Sequence, residues 1–71
     1  MAEEIRAPMA GKILQVNISP GDKVQEDDEL FVIEAMKMEN PIYAPISGTV
    51  KEVKVKEGDK VEEDDLLAII E

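Results

Sequence analysis

The side chains able to do chemistry in this sequence are carboxylates and amines. With no Cys and no His, the chain has no disulfide framework, thiolate nucleophile, imidazole base or usual zinc site, and catalysis is not expected. The carboxylates cluster at Glu26-Asp27-Asp28-Glu29 and again at Glu62-Glu63-Asp64-Asp65. Neither cluster has the spacing of a calcium loop, which needs oxygens at alternate positions, a Gly at the sixth and a bidentate Glu at the twelfth. Both read as solvated turns. Of the seven lysines, Lys37 alone has a methionine on each side, whereas most of the others lie among acids. A lysine amine is a nucleophile only when uncharged, and its free pKa of about 10.4 means that something else must supply the base.

Those residues must be positioned by a small scaffold. The 71 residues make one domain spanning 1–71, near the lower size at which a single hydrophobic core holds a fold. Seventeen acids against eight bases give a net charge of -9, which repels phosphate backbones and anionic membrane surfaces. Nucleic-acid binding is not expected. No apolar run approaches the length of a membrane span, and the start MAEEIRAP has neither a basic nor an apolar leader region, so a cytoplasmic chain without direct membrane insertion is expected.

Laid on itself at an offset of 37, the chain aligns residues 5–34 with 42–71 without a gap, and 15 of the 30 pairs are identical. Ala7, Pro8 and Gly11 match Ala44, Pro45 and Gly48, and the block Gly21–Val24 recurs as Gly58–Val61. Two copies are too few for a solenoid, so a closed pseudo-twofold domain is expected.

Each copy reads as strands. Leu14, Val16 and Ile18 alternate with polar residues, as do Val53 and Val55, while Phe31–Ile33 and Leu67–Ile70 are short apolar runs. Pro20-Gly21 suits the centre of a type II turn, and Glu57-Gly58 keeps the glycine in the second copy. Pro8 and Pro45 lack a backbone donor and are expected at strand starts or edges. Many short strands separated by turns predict an all-β sandwich or flattened barrel, with Val, Ile and Leu from both copies interdigitating.

The repeat also locates the site. Residues needed by the scaffold appear twice, and residues needed for one chemical event appear once. Subtraction leaves the N-terminal Met1–Glu4 and the joining segment 35–41, whose residues are Ala35, Met36, Lys37, Met38, Glu39, Asn40 and Pro41. Glu34 is matched by Glu71, so its first explanation is a strand-end charge. The segment lies between two strands, which puts Lys37 at or near an exposed hairpin tip. At period two, Met36 and Met38 point away from Lys37, and two compatible readings stay open: flexible filler capping the core, or apolar groups read by a partner.

The run Glu34-Ala35-Met36-Lys37-Met38-Glu39-Asn40 resembles the attachment motif of biotinyl domains, the biotin carboxyl carriers of biotin-dependent carboxylases, decarboxylases and transcarboxylases. The Ala-Pro-x-x-Gly openings and Gly-Asp-x-Val turns resemble that family too, so the match covers nearly the whole chain. The resemblance implies a flattened barrel-sandwich of two four-stranded antiparallel sheets, with biotin attached covalently to Lys37. It also implies that Glu34, Ala35, Met36 and Met38 form the motif read by the ligase and partners. The implied partners are a biotin protein ligase, a biotin carboxylase and a carboxyltransferase, between which the carrier shuttles an activated carboxyl group. The carrier is then a substrate rather than an enzyme, cytoplasmic, either free or attached to a membrane-bound decarboxylase complex.

Two features depart from or refine this pattern. Asp27 and Asp64 stand where the family often has Gly, and Asp reaches the left-handed region at less cost than most residues. The gapless offset leaves no room for a thumb loop, which favours a thumbless carrier. Two rivals remain at this point: a lipoyl carrier of an oxo-acid dehydrogenase complex, and an unmodified structural or interaction barrel. Lipoyl domains usually carry Asp before the modified lysine and Ala or Val after it, where this chain has Met36 and Met38.

Overall fold

The computed structural model describes residues 2–71, and every regular element in it is a strand. The strands are β1 (Glu3–Arg6), β2 (Gly11–Val16), β3 (Lys23–Val24), β4 (Glu29–Ala35), β5 (Met38–Tyr43), β6 (Gly48–Val53), β7 (Lys60–Val61) and β8 (Leu66–Ile70). They form two four-stranded sheets ordered β1-β8-β6-β3 and β5-β4-β2-β7, antiparallel throughout. The all-β sandwich expected from the sequence is the observed architecture.

The repeat and the topology are the same fact. Adding 37 to each residue of the first copy carries β1, β2, β3 and β4 onto β5, β6, β7 and β8, and so carries one sheet's strand order onto the other's. Each sheet therefore holds strands of both copies, and neither copy can close its half of the sandwich alone. The largest fully buried side chains are Phe31, Ile13, Leu30, Ile33, Leu67, Ile70 and Val50. Six of these seven are repeat partners: Ile13 with Val50, Leu30 with Leu67, and Ile33 with Ile70. Phe31 corresponds instead to the fully buried Ala68, so one copy supplies a large group where the other supplies a small one. Because the copies share one interior, calorimetry is expected to show a single unfolding transition; two separable transitions would mean independent halves.

Four tight turns hold the strands in register, and they explain the acidic clusters. In each, an aspartate carboxylate accepts the backbone N–H three residues before it: Asp22 from Ser19 at 2.9 Å, Asp28 from Gln25 at 2.8 Å, Asp59 from Lys56 at 3.0 Å and Asp65 from Glu62 at 2.8 Å. The third residue of each turn has positive φ: 93° at both Gly21 and Gly58, 74° at Asp27 and 72° at Asp64. The glycine turns match the type II expectation, and the aspartates do occupy the left-handed region. Asp27, Asp28, Asp64 and Asp65 are structural parts of turns that the duplication copied.

Two local expectations need correction. The alternation assigned to Leu14, Val16 and Ile18 begins one residue out of phase. The fully buried residue is Ile13, and the register of β2 against β4 shifts between Ile13 and Gln15, so Leu14 is the extra residue of a β-bulge and is only half-buried. A bulge turns the next side chains to the other face, which no period-two pattern can show. Pro8 and Pro45 lie in the bends between strands rather than at strand starts or edges. The proline within an edge strand is Pro41, in β5.

Candidate functional site

The hairpin of β4 and β5 pairs Ile33 with Asn40, Glu34 with Glu39 and Ala35 with Met38, leaving only Met36 and Lys37 to make the turn. A two-residue loop between twisted antiparallel strands favours the geometry with φ > 0 at both central residues. Met36 and Lys37 have φ of 54° and 63°. Neither is the Asn or Gly that this turn prefers, and a left-handed conformation costs such residues about 1–2 kcal/mol each. The pairing of β4 with β5 over six positions imposes that conformation. Strain of this kind is retained where surrounding structure over-determines it, and it gathers at functional positions.

Lys37 is exposed at the turn. The three ion pairs among the described residues join Arg6 to Glu4, Lys51 to Glu71 and Lys54 to Glu52, none of them at the hairpin. The Lys37 side chain is thus exposed on a two-residue turn and outside every ion pair among the described residues. The motif residues divide around it. Ala35 is buried at the end of the core, while Glu34 is exposed within β4, between Lys12 and Glu39 on the neighbouring strands.

The exposure of the methionines removes the core-filler reading of them. Met36 is 93% exposed and Met38 is 65% exposed, so they do not cap the core. Period two does not hold across this segment because the strand ends at Ala35: Met36 and Lys37 both belong to the turn. Met38 shares a face with Asn40 and Ile42 and pairs with the buried Ala35, yet its own side chain is left uncovered. Two apolar groups in water beside an amine have no packing role to explain them.

Asn40 is a further working residue of the hairpin. Its side-chain amide donates to the carbonyl oxygens of Met38 at 3.2 Å and, more weakly, Ile33 at 3.4 Å, bracing the hairpin across its two strands. The available signal was its place in the unduplicated segment. Asn40→Ala is expected to cost about 1 kcal/mol, measured by urea unfolding, because two partly exposed carbonyls lose a donor to water.

A covalently tethered group fits this site. One amine projects from a turn whose backbone is fixed, with no side chain closing over it. No group of three or more His, Cys, Asp or Glu among the described residues is placed to hold a metal ion.

Comparison with known proteins bears on this geometry directly. The sequence profile of the family described as "Biotin-requiring enzyme" matches residues 3–70. The gamma subunit of glutaconyl-CoA decarboxylase from Acidaminococcus fermentans is 60% identical over 38 residues, covering 54% of this chain and 26% of that protein. The biotin carboxyl carrier protein of Streptococcus mutans is 51% identical over 41 residues, covering 58% of this chain and 32% of that one. The chain thus spans about a third or less of the length of these two relatives. In the crystal structure of Kluyveromyces lactis urea carboxylase, a region corresponding to 99% of this chain and 6% of that one superposes with a TM-score of 0.90 at 37% identity. With the profile matched from β1 to the end of β8, the chain belongs to the biotin-requiring enzyme family, as a carrier whose cofactor is biotin.

Proposed function

We propose that Lys37 is the residue to which biotin is joined, and that the chain carries a carboxyl group between a biotin carboxylase and a carboxyltransferase that acts on an acyl-CoA. The observation that carries the proposal is the exposed Lys37 on a strained two-residue turn, within the segment that joins the two copies and is not duplicated by them. The acyl-CoA part rests on the similarity to the glutaconyl-CoA decarboxylase gamma subunit. A cytoplasmic location is part of the same proposal.

In this reading Lys37 is a substrate first. Its Nζ forms an amide with the carboxyl of biotin when a biotin protein ligase removes the amine's proton and supplies an activated acyl group. The fixed turn limits the positions the amine can adopt, which lowers the ordering cost of meeting the ligase. Biotin supplies the ring nitrogen that takes up and gives back the carboxyl group. The rigid hairpin then serves as the stalk of the tether, keeping a high local concentration of the carried group near both enzymes.

Ligase choice tests the reading. Incubated with ATP and a biotin protein ligase plus biotin, the chain is expected to gain one biotin by intact mass and to bind streptavidin. A lipoate ligase with lipoate is expected to leave it unchanged. Lipoylation without biotinylation would establish the lipoyl carrier, and no modification by either would favour the unmodified interaction barrel.

The exposed methionines give a second test. Met36→Gln or Met38→Gln is expected to change stability by less than about 0.5 kcal/mol, as surface substitutions do. The same variants are expected to slow biotinylation or carboxyl transfer severalfold, since an apolar contact of about 1–2 kcal/mol is withdrawn from the partner. Thermal melts and initial rates separate the two effects.

A further inference from the structure

The pseudo-twofold supplies an internal control for the surface. What the scaffold needs occurs on the outer faces of both sheets, and what a partner needs occurs on one. The outer face of the β1-β8-β6-β3 sheet centres on the half-buried Ile69, opposite Glu4 on β1 and Glu52 on β6. Around it the charges are neutralised in pairs. Arg6 meets Glu4 at 2.7 Å, Lys54 meets Glu52 at 2.7 Å and Lys51 lies 3.6 Å from Glu71. The Lys54 hydrogen bond and charge hold the Glu52 carboxyl below its usual range.

The equivalent face of the hairpin-bearing sheet is built differently. Val32 takes the place of Ile69 and is buried, yet it forms no part of the interior cluster. Its surroundings have lost the charges: Leu14 stands for Lys51, Gln15 for Glu52, Pro41 for Glu4 and Tyr43 for Arg6. Tyr43 is 54% exposed and Pro41 is exposed. No ion pair among the described residues lies on this face. Since the other half folds with charges at the same positions, the scaffold does not require an apolar patch here, and such patches mark interaction sites.

Resting on the acyl-CoA reading above, we propose that this face, where Leu14, Pro41 and Tyr43 surround the buried Val32, docks the carrier on an acyl-CoA-binding carboxyltransferase. The docking surface of that enzyme presents an apolar side chain ringed by Lys or Arg. Charge complementarity selects that occupant. Along the strands the patch is bounded by Glu29 at one end and by Glu34 and Glu39 at the other, with Lys12 beside Glu34 and Lys60 beyond it on β7. A second copy of the chain would set acid rim against acid rim. An enzyme that binds the phosphates of coenzyme A gathers cationic groups around its site, which attract this rim. Val32 lies three residues from Ala35, about 10 Å along the strand, so a partner seated on the patch has the hairpin tip within reach. The patch is small, which suits a carrier that must leave after each transfer.

The test grafts the other half's residues onto this face. Leu14→Lys with Tyr43→Arg installs side chains that the fold already accepts at the equivalent places. Circular dichroism melts check the fold, and Tyr43→Ala alone serves if the pair does not fold. Biotinylated carrier is then assayed with the organism's own acyl-CoA carboxyltransferase. The expected result is a KM for carrier raised about tenfold or more, with kcat and the rate of biotinylation unchanged. The unsubstituted carrier's KM is expected to rise with salt. An unchanged KM, or a matching loss of biotinylation, would overturn the docking surface. Failure of the unsubstituted chain to take biotin, read separately with streptavidin, would overturn the carrier reading and this proposal with it.

Discussion

Lys37→Arg is expected to leave the fold intact and to abolish covalent labelling with biotin. Arginine keeps the positive charge and a long flexible stem, and Lys37 is exposed at its turn, so the change in unfolding free energy stays within about 0.5 kcal/mol. The guanidinium stays protonated at any working pH and cannot become the uncharged nucleophile that amide formation needs. Labelling should fall below detection rather than weaken. The other six lysines are presented by strands and polar turns with no flanking methionine pair, so none should substitute. Streptavidin blotting after treatment with ligase, biotin and ATP reads the outcome. Persistent labelling at another lysine would move the site away from the hairpin.

The second large effect lies in the scaffold beneath that hairpin. Gly11 begins β2, and a Cβ there would collide with the backbone carbonyl of Glu34 and come within 2.7 Å of Ile33 Cγ2. Gly48 begins β6 and meets Glu71 and Ile70 in the same way. In both cases the obstacle includes backbone, which cannot rotate aside, so strands must shift. Gly11→Ala and Gly48→Ala are each expected to cost about 1–3 kcal/mol. For a domain of this size that lowers Tm by roughly 5–20 °C. The two variants should then separate by function. Glu34 is three residues from Lys37, whereas Glu71 lies at the far end of the other copy, so Gly11→Ala should also disturb biotinylation at temperatures where both variants remain folded. Equal labelling of the two would show that the hairpin tolerates movement at its base.

The reach of the sequence can be judged from particular residues. The internal repeat carried the fold, because each duplicated apolar pair, such as Ile33 with Ile70, marks one interior position seen twice. It narrowed the site's location as well, since Lys37 lies in the joining segment, which has no counterpart. What stayed hidden depended on backbone geometry. The bulge at Leu14 reverses the facing of its strand without any distinctive residue type. The two positive φ values at Met36 and Lys37 arise from pairing between β4 and β5, and neither residue advertises a left-handed turn. The exposure of both methionines follows from that turn, which is why a period-two argument sent them toward the core. Asn40 and the four aspartate turn locks became visible only as hydrogen bonds.

Site mapping of the modified chain tests the central claim most directly. After treatment with biotin protein ligase, biotin and ATP, the chain is digested and sequenced by tandem mass spectrometry. The account predicts one biotin per chain, in amide linkage to the side-chain nitrogen of Lys37, with the other lysines unmodified. Biotin found on any other lysine, or a chain left wholly unmodified by an active ligase, would contradict it.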